Sequence, residues 1–535
     1  LTDASFNLLT EPWIPVRPLG SPSLRLVSLR EALAAGRDFS GVEDSSPLQT
    51  VAVYRLMLAV LHRALMGPKD ADEALEYLEA GQFPPDALES YLERYAPRFD
   101  LFGPQPFLQV PDLPTDGYVQ TWERLGAEVG GGNTTLLFNP TRREGYVSPA
   151  LTPAEAARRL IEHQTFALGG LTRKFTSAAT GAPVATAALI MARGRNLHET
   201  LCLNLVPYVQ GIEADVPPWE AAPLTLHDMR QFYPNGGKEK LAQPVRGIVQ
   251  GYVWQGRSVR LEREQDGSVR FIAYAEGVPP NLAASWRDPM VALRPLKDGT
   301  LYPLKLSAER LFWRDFEAIL PDRSRELAAT EDGRVRFSQG AQPAVLQHAF
   351  EVLGELRGSA VFSLPLMVFG QVNDQAKIEL WRFETYDLPP AVLGDPEVAQ
   401  HVPDALTRAK DVRDALNAAL RRLAEGLLSS GERDPHKDDI SRLTRSLGAE
   451  QQYWSQLERP FQAFVLALRE DAAPALSGWN AQLRAAALDA WELAGRGAGQ
   501  SARALRARYE AEPSLMKQLY TLTGGQRDRA AQTPA

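Results

Sequence analysis

The sequence predicts an α+β chain: a large mixed α/β N-terminal domain with β-hairpins over residues 1–390, then a C-terminal four-helix bundle over 391–535. Three observations predict it. In the first part, apolar residues alternate on either side of Asp-Gly pairs, the pattern of strands joined by tight turns. Prolines and glycines punctuate that part throughout. From Val398 onward the apolar spacing becomes helical and stays so almost to the end.

In chain order, the first strong element is a helix from Gln49 to Met66, with Val53, Leu56, Met57, Val60, Leu61 and Leu65 on one apolar side. Hairpins follow. Val259 and Leu261 precede Asp266-Gly267, and Val269 and Phe271 continue the alternation beyond it. Met290 to Leu304 repeats the arrangement around Asp298-Gly299. A third hairpin joins Phe362–Phe369 to Lys377–Phe383 through the polar tip Gly370–Ala376.

The helical part reads as four stretches. Val412, Leu416, Ala419, Leu420, Leu423 and Leu427 share one face of the first, which Gly431 and Asp434-Pro435 close. Trp454, Leu457, Phe461, Phe464, Val465 and Leu468 form the second stripe, with Pro460 kinking or breaking that helix. Leu483, Leu488 and Trp491 point inward from the third. The fourth begins near Ser501 and carries Leu505, Tyr509, Leu515, Met516 and Leu519, with Pro513 interrupting it. The tail after Gly524-Gly525 is polar and expected to be disordered.

Composition narrows the function. Of 535 residues 44% are hydrophobic and 23% charged, as in an ordinary globular protein of more than one folding unit. The longest apolar run, around Val51–Leu61, contains Arg55, so no membrane span is expected. The first residues lack a secretion signal and Cys202 is the only cysteine; a cytoplasmic location follows by default. Net charge is −8, so the chain will not coat DNA uniformly, and a nucleic-acid role requires local basic patches or basic partners.

Catalytic signatures are missing. There is no phosphate-binding G-x-x-x-x-G-K-[ST] loop, no G-x-S-x-G elbow and no H-E-x-x-H helix. The seven histidines are scattered. His227-Asp228 is a lone pair of possible metal ligands, with a helix-capping or surface pair as the bland alternative. Gly130-Gly131-Gly132 opens no dinucleotide-binding helix. A large chain with no catalytic constellation is expected to recognise rather than transform, so no enzyme activity, cofactor or metal is assigned.

The opening Phe6-Asn7-Leu8-Leu9-Thr10-Glu11-Pro12-Trp13-Ile14-Pro15-Val16 resembles the N-terminal signature of the CasA family, the large subunit of the type I-E CRISPR surveillance complex Cascade. Ser46-Pro47-Leu48-Gln49, Leu137-Phe138-Asn139-Pro140, Ala167–Lys174, the Asp298-Gly299 hairpin and the Asn373-Asp374-Gln375-Ala376 tip agree in order. The resemblance therefore covers nearly the whole chain. It implies a non-catalytic subunit that reads the PAM, a short duplex motif beside the target, through the minor groove. It also implies that the subunit opens the duplex to start R-loop formation and helps recruit a helicase-nuclease. The implied partners are the Cascade backbone and small subunits, the guide RNA and double-stranded target DNA. The cysteine cluster that some relatives carry is lacking, so no structural zinc is implied.

The resemblance assigns site residues as well. Gly169 and Gly170 match a glycine loop approaching the minor groove, and Lys297 matches a lysine finger entering it. Gln375 with Ala376 matches a wedge that splits the first base pairs. Phe138 and Asn139 match a loop near the 5′ end of the guide RNA. The chemistry suits these roles. Glycine lets backbone come close, lysine is a long point charge, and the minor groove offers a degenerate code that tolerates several PAMs. Unstacking costs about a few kcal/mol per step, enough to decide a nearly balanced R-loop. As residues alone, Lys297 is a solvated turn lysine, Gln375 a polar hairpin tip, Phe138 a core side chain and Gly169-Gly170 a turn. Arginines on the helical part, among them Arg408, Arg413, Arg421, Arg422, Arg503 and Arg506, read as solvated faces; the resemblance implies that some guide the displaced strand. Two rivals remain: a metal-dependent nuclease or phosphohydrolase using His227-Asp228, and a purely structural scaffold.

Overall fold

The computed structural model describes residues 5–126, 145–209, 211–282, 286–295, 301–321, 326–327, 336–337, 341–357, 363–374, 377–429 and 435–524. Two compact units emerge: Leu1–Phe312 with Asp322–Thr385, and Trp313–Pro321 with Tyr386–Ala535. The first mixes helices and sheets; among the described residues the second is helical apart from its share of one strand.

In the first unit, β1 (Ile14–Pro18) lies between β2 (Arg25–Val27) and β3 (Phe39–Val42), antiparallel to both. Leu8, Leu9, Trp13, Ile14 and Val16 of the opening signature are buried here. Trp13 Nε1 donates to Leu8 O at 2.8 Å, and Asn7 Oδ1 accepts the Leu9 amide at 2.9 Å. The segment carrying the resemblance is thus part of the core.

The early helix α1 spans Pro47–Leu65. Ser46 caps it by accepting the Gln49 amide at 3.3 Å, and Pro47 starts it where a missing N–H costs nothing. One apolar side is expected of it, but every residue from Leu48 to His62 is buried. The reason is tertiary: helices Pro85–Tyr95, Pro153–Phe166 (α2) and Ile248–Tyr252 pack on it, as does strand Leu364–Asp374. A helix surrounded in this way buries its polar residues too, and Arg55 and His62 are both closed to solvent.

Three small sheets complete what bears on function. β4 (Val119–Thr121), β6 (Arg257–Arg263) and β7 (Val269–Glu276) form one, with β7 central. The Asp266-Gly267 hairpin forms, with Val259 facing Tyr274, Leu261 facing Ile272 and Gly267 at the positive φ of +89° that the turn needs. A register shift between Glu262 and Arg263, however, breaks the expected alternation and leaves Phe271 exposed opposite Glu262. β5 (Leu189–Ala192) belongs to a second sheet described below. β8 (Leu293–Pro295) and β9 (Leu301–Pro303) pair antiparallel, forming the arms of the expected hairpin around Asp298-Gly299. β10 (Leu364–Asp374) and β11 (Lys377–Leu388) form the third hairpin, with β10 between β11 and β5.

In the second unit, α3 (Pro396–Leu428) buries Val412, Leu416, Ala419, Leu420 and Leu423, as its spacing predicts. α4 (Lys437–Ser446) leaves no mark in the apolar spacing, because none of its residues is buried. The second stripe is two helices, α5 (Ala449–Ser455) and α6 (Glu458–Ala467). The break falls before Pro460, which occupies the first turn of α6, where proline is tolerated. α7 runs Ala472–Ala498 and α8 runs Ala502–Thr523.

Two expectations for α8 are corrected. It continues through Pro513, and Leu505 and Tyr509 are exposed, at 58% and 79%. The inward stripe is instead Ala504, Ala507, Ala511, Leu515 and Leu519. Small residues occupy it because the helices come close: a Cβ on Gly426 of α3 would lie 2.6 Å from Ala507 Cβ. The centre of this unit holds Trp313, from well before the helical stretch, with ring centroids 5.1 Å from Phe461 and 5.8 Å from Trp454.

Candidate nucleic-acid interface

Of the residues assigned from sequence, Phe138, Asn139, Lys297, Gln375 and Ala376 lie outside the described residues. Gly169 and Gly170 are described, and so are the arms that carry the two hairpin tips.

Those arms share a root. β5 pairs antiparallel with β10, Leu189 facing Phe369 and Ala192 facing Leu366. On its other side β5 meets the chain flanking β8 and β9: the Ile190 amide donates to Met290 O and the Ala188 amide to Leu304 O, both at 2.8 Å. One short buried strand therefore holds β10, which precedes Gln375 in sequence, and the base of the β8–β9 pair, whose strands flank Lys297 in sequence.

The glycine segment joins the same root through Gln371. This buried β10 side chain donates from Nε2 to Phe166 O at 2.8 Å and to Ala185 O at 2.7 Å. Phe166 ends α2, whose Thr152–Glu155 capping box fixes its start, so the glycines begin immediately beyond a well-anchored helix. Gly170 exchanges backbone hydrogen bonds with Ala179 at 3.1 and 2.7 Å, and the Ala182 amide donates to Ala167 O at 2.9 Å. The segment is thus a closed loop with a narrow neck. A Cβ on Gly169 would sit 3.1 Å from Ala179 O and 3.3 Å from Gly181 N, so the close approach that favours glycine at 169 is to the chain itself.

A cavity of 390 Å³ opens beside the loop, lined by Gly126, Leu168–Arg173, Arg124, Glu162, His163, Arg257, Tyr274, Gln371 and Ile378. Three arginines against one glutamate make it locally basic in a chain of net charge −8. His163 adds no charge at neutral pH: burial, with the nearby guanidiniums of Arg257 and Arg124, pushes it well below the usual imidazole range. Its Nε2 lies 3.0 Å from the Tyr274 hydroxyl, which also accepts from Arg257 Nε at 3.1 Å. Beyond the cavity, Asp374 and Lys377 at the hairpin end are exposed.

The loop is held by two residues that sequence reasoning missed, Arg257 and Glu276. Arg257 donates to Leu168 O and to Thr180 O, the latter at 2.9 Å, while Glu276 accepts the amides of Lys174 at 3.0 Å and Phe175 at 2.8 Å. The one signal available was a charge at the end of each apolar strand.

His227-Asp228 has a structural use. Asp228 accepts the Thr225 amide at 2.8 Å in a capping box, and its carboxyl is held below the usual range chiefly by the Thr225 hydroxyl and amide. Among the described residues no group of three or more His, Cys, Asp or Glu is placed to hold a metal ion, and no helix is long and apolar enough to cross a membrane.

With this geometry in place, similarity to known proteins decides the family. The family model described as CRISPR-associated protein Cse1 matches residues 7–490. The chain belongs to the CRISPR-associated Cse1 (CasA) family. A CasA/Cse1 protein of Thermus thermophilus is 41% identical over 516 residues, covering 95% of this chain and 96% of that protein. A crystal structure of Thermus thermophilus CasA aligns with a TM-score of 0.82 at 38% identity, over 97% of this chain and all of that one. Cse1 from Acidimicrobium ferrooxidans aligns with a TM-score of 0.76 at 27% identity, over 98% and 99%. The mixed first unit and helical second unit are therefore the family's fold.

Proposed function

We propose that this chain is the non-catalytic large subunit of a type I-E Cascade complex in the cytoplasm. In this reading it recognises the PAM through the minor groove and wedges the duplex open to start the R-loop. Residues 1–390 do the reading, with Gly169, Gly170 and Lys297 in the groove and Gln375 with Ala376 as the wedge. Phe138 and Asn139 contact the complex near the guide RNA. The C-terminal region, a four-helix bundle over 391–535 in this reading, meets the small subunits and the displaced strand. A recruited helicase-nuclease cuts the DNA.

The observation that carries this reading is the shared root on β5. Three segments distant in sequence, the end of α2 before Gly169, the chain flanking β8 and β9, and β10, are tied to one strand and to Gln371 by short hydrogen bonds. A reader that senses a groove and pries open the adjacent pair needs its parts held in fixed relation, since preorganised contacts lose least on binding. Arg124 and Arg173, the arginines of this lining that are not buried, also meet the requirement that an acidic chain bind DNA through a patch.

The test is target-DNA binding by the reconstituted complex, with and without this subunit, on duplexes with correct or scrambled PAM. PAM-dependent binding that needs the chain and weakens in Lys297→Ala and Gln375→Ala supports the reading. Equal binding without the chain removes target recognition and leaves a scaffold.

A further inference from the structure

We infer that Arg257 and Glu276 are positioning residues that set the glycine loop against DNA, an inference that rests on the reading of Gly169 and Gly170 as groove-facing. The two are Cα partners in the register of β6 and β7, and both are buried, at 3% and 0% exposure. Between them they grip the loop by both kinds of backbone group. The Arg257 guanidinium donates to Leu168 O and Thr180 O, on opposite sides of the neck. Each carboxylate oxygen of Glu276 takes one amide farther round the loop, Oε1 from Lys174 and Oε2 from Phe175. Arg173, just before those amides, adopts the left-handed φ of +63°, so the chain bends to deliver two consecutive N–H groups to one carboxylate.

Stability alone does not account for this pairing. A buried charge is costly, and an apolar side chain of similar volume often serves the core as well or better. Charge is needed where several backbone groups must be satisfied at fixed positions. A guanidinium offers five donors in a rigid fork, and an ionised carboxylate offers acceptors only. The groups satisfied here lie within six residues of Gly169 and Gly170 on one side, or directly across the neck from them. Gly170 itself is bonded to Ala179, next to the Thr180 carbonyl that Arg257 holds. The arginine's Nε is committed to Tyr274, whose hydroxyl also meets His163, so the fork cannot rotate without breaking a second contact.

The test uses the reconstituted complex and the ratio of its affinities for correct-PAM and scrambled-PAM duplexes. Arg257→Gln removes the fork, and Glu276→Gln replaces an acceptor by an amide N–H that opposes a backbone N–H. Each is expected to lower the ratio about tenfold, roughly 1.4 kcal/mol, with affinity for the scrambled duplex unchanged. Arg257→Lys, which keeps one donor contact, should recover part of the loss. A purely structural role would lower both affinities together or neither, and that result overturns the inference. If Arg257→Gln does not fold, Tyr274→Phe decides: it frees the fork by one bond and should reduce the ratio by a smaller factor, whereas an unchanged ratio refutes positioning. Lys297→Ala and Gln375→Ala are run in parallel. If they lower the ratio and the Arg257 and Glu276 variants do not, positioning alone fails. If none of the four lowers it, the groove-reading function fails and the inference with it.

Discussion

Arg55 and Asp288 form an ion pair at 2.7 Å with both side chains closed to solvent. It links the centre of α1 to the chain just before β8, because the other oxygen of Asp288 accepts the Met290 amide at 3.0 Å. Arg55 also donates to Gly251 O at 2.8 Å and stacks over Tyr252. Removing one member of such a pair strands its partner's charge, so Arg55→Met should cost about 3–5 kcal/mol. Changing Asp288→Asn in the same chain should restore part of that. Denaturant unfolding of the purified chain measures both; a loss below about 1 kcal/mol for Arg55→Met would mean that water reaches the carboxylate.

Glycine positions separate into crowded and open ones. Gly169→Ala drives a methyl group against Ala179 O and Gly181 N, and should destabilise the loop by about 1–3 kcal/mol. Gly478 lies inside α7 with nothing within 4 Å of a Cβ. Gly478→Ala should therefore stabilise the chain by up to about 1 kcal/mol through helix propensity alone. Thermal unfolding of the two variants beside the parent checks the contrast, and a loss at Gly478 would contradict the open geometry.

What the sequence made legible is what neighbouring residues decide. The Asp266-Gly267 hairpin follows from a turn dipeptide and alternation, both local, whereas the register shift between Glu262 and Arg263 that turns Phe271 to solvent left no local sign. α1 was legible as a helix but not as one buried all round, because burial depends on elements from residues 85, 153, 248 and 364 onward. Trp313 gives no local sign that its ring belongs among Trp454, Phe461 and Trp479. Leu505 and Tyr509 fit a helical stripe yet face solvent, since alanines alone allow the close approach of α3 and α8. At the site, the glycines were named by resemblance, whereas Arg257 and Glu276 act on backbone groups up to about a hundred positions away. No spacing rule reaches that far.

Acid sensitivity follows from two buried histidines. Burial lowers both His62 and His348 to about 4. His62 Nδ1 meets Gly67 O at 3.1 Å while its Nε2 is buried without a partner, so the folded state holds the neutral ring. The unfolded chain takes up a proton near pH 6.5, whereas the folded one does so only near 4. The stability that each ring contributes is therefore complete above pH 6.5 and is lost as pH falls toward 4, by roughly 3 kcal/mol per histidine at the limit. Denaturant midpoints measured from pH 8 to 4.5 should be flat at first and then fall. His62→Phe should make that fall shallower; an unchanged slope would place its acid sensitivity elsewhere.

Salt dependence distinguishes residues that attract DNA from residues that read it. Arg173 is exposed at the rim of the glycine loop, beside the cavity that also holds Arg124 and Arg257. In the proposed reading a side chain in that position meets phosphate, and each phosphate contact releases about one counterion. Arg173→Ala should therefore weaken correct-PAM and scrambled-PAM duplexes by the same factor and reduce the slope of log affinity against log salt by about one. Lys297→Ala, which in the proposed reading removes a contact to base edges in the groove, should instead change the ratio between the duplexes. Titrations at several salt concentrations check both. If Arg173→Ala changed the ratio and left the slope intact, the arginine would be reading sequence or groove shape, and the basic rim would belong to recognition instead of attraction.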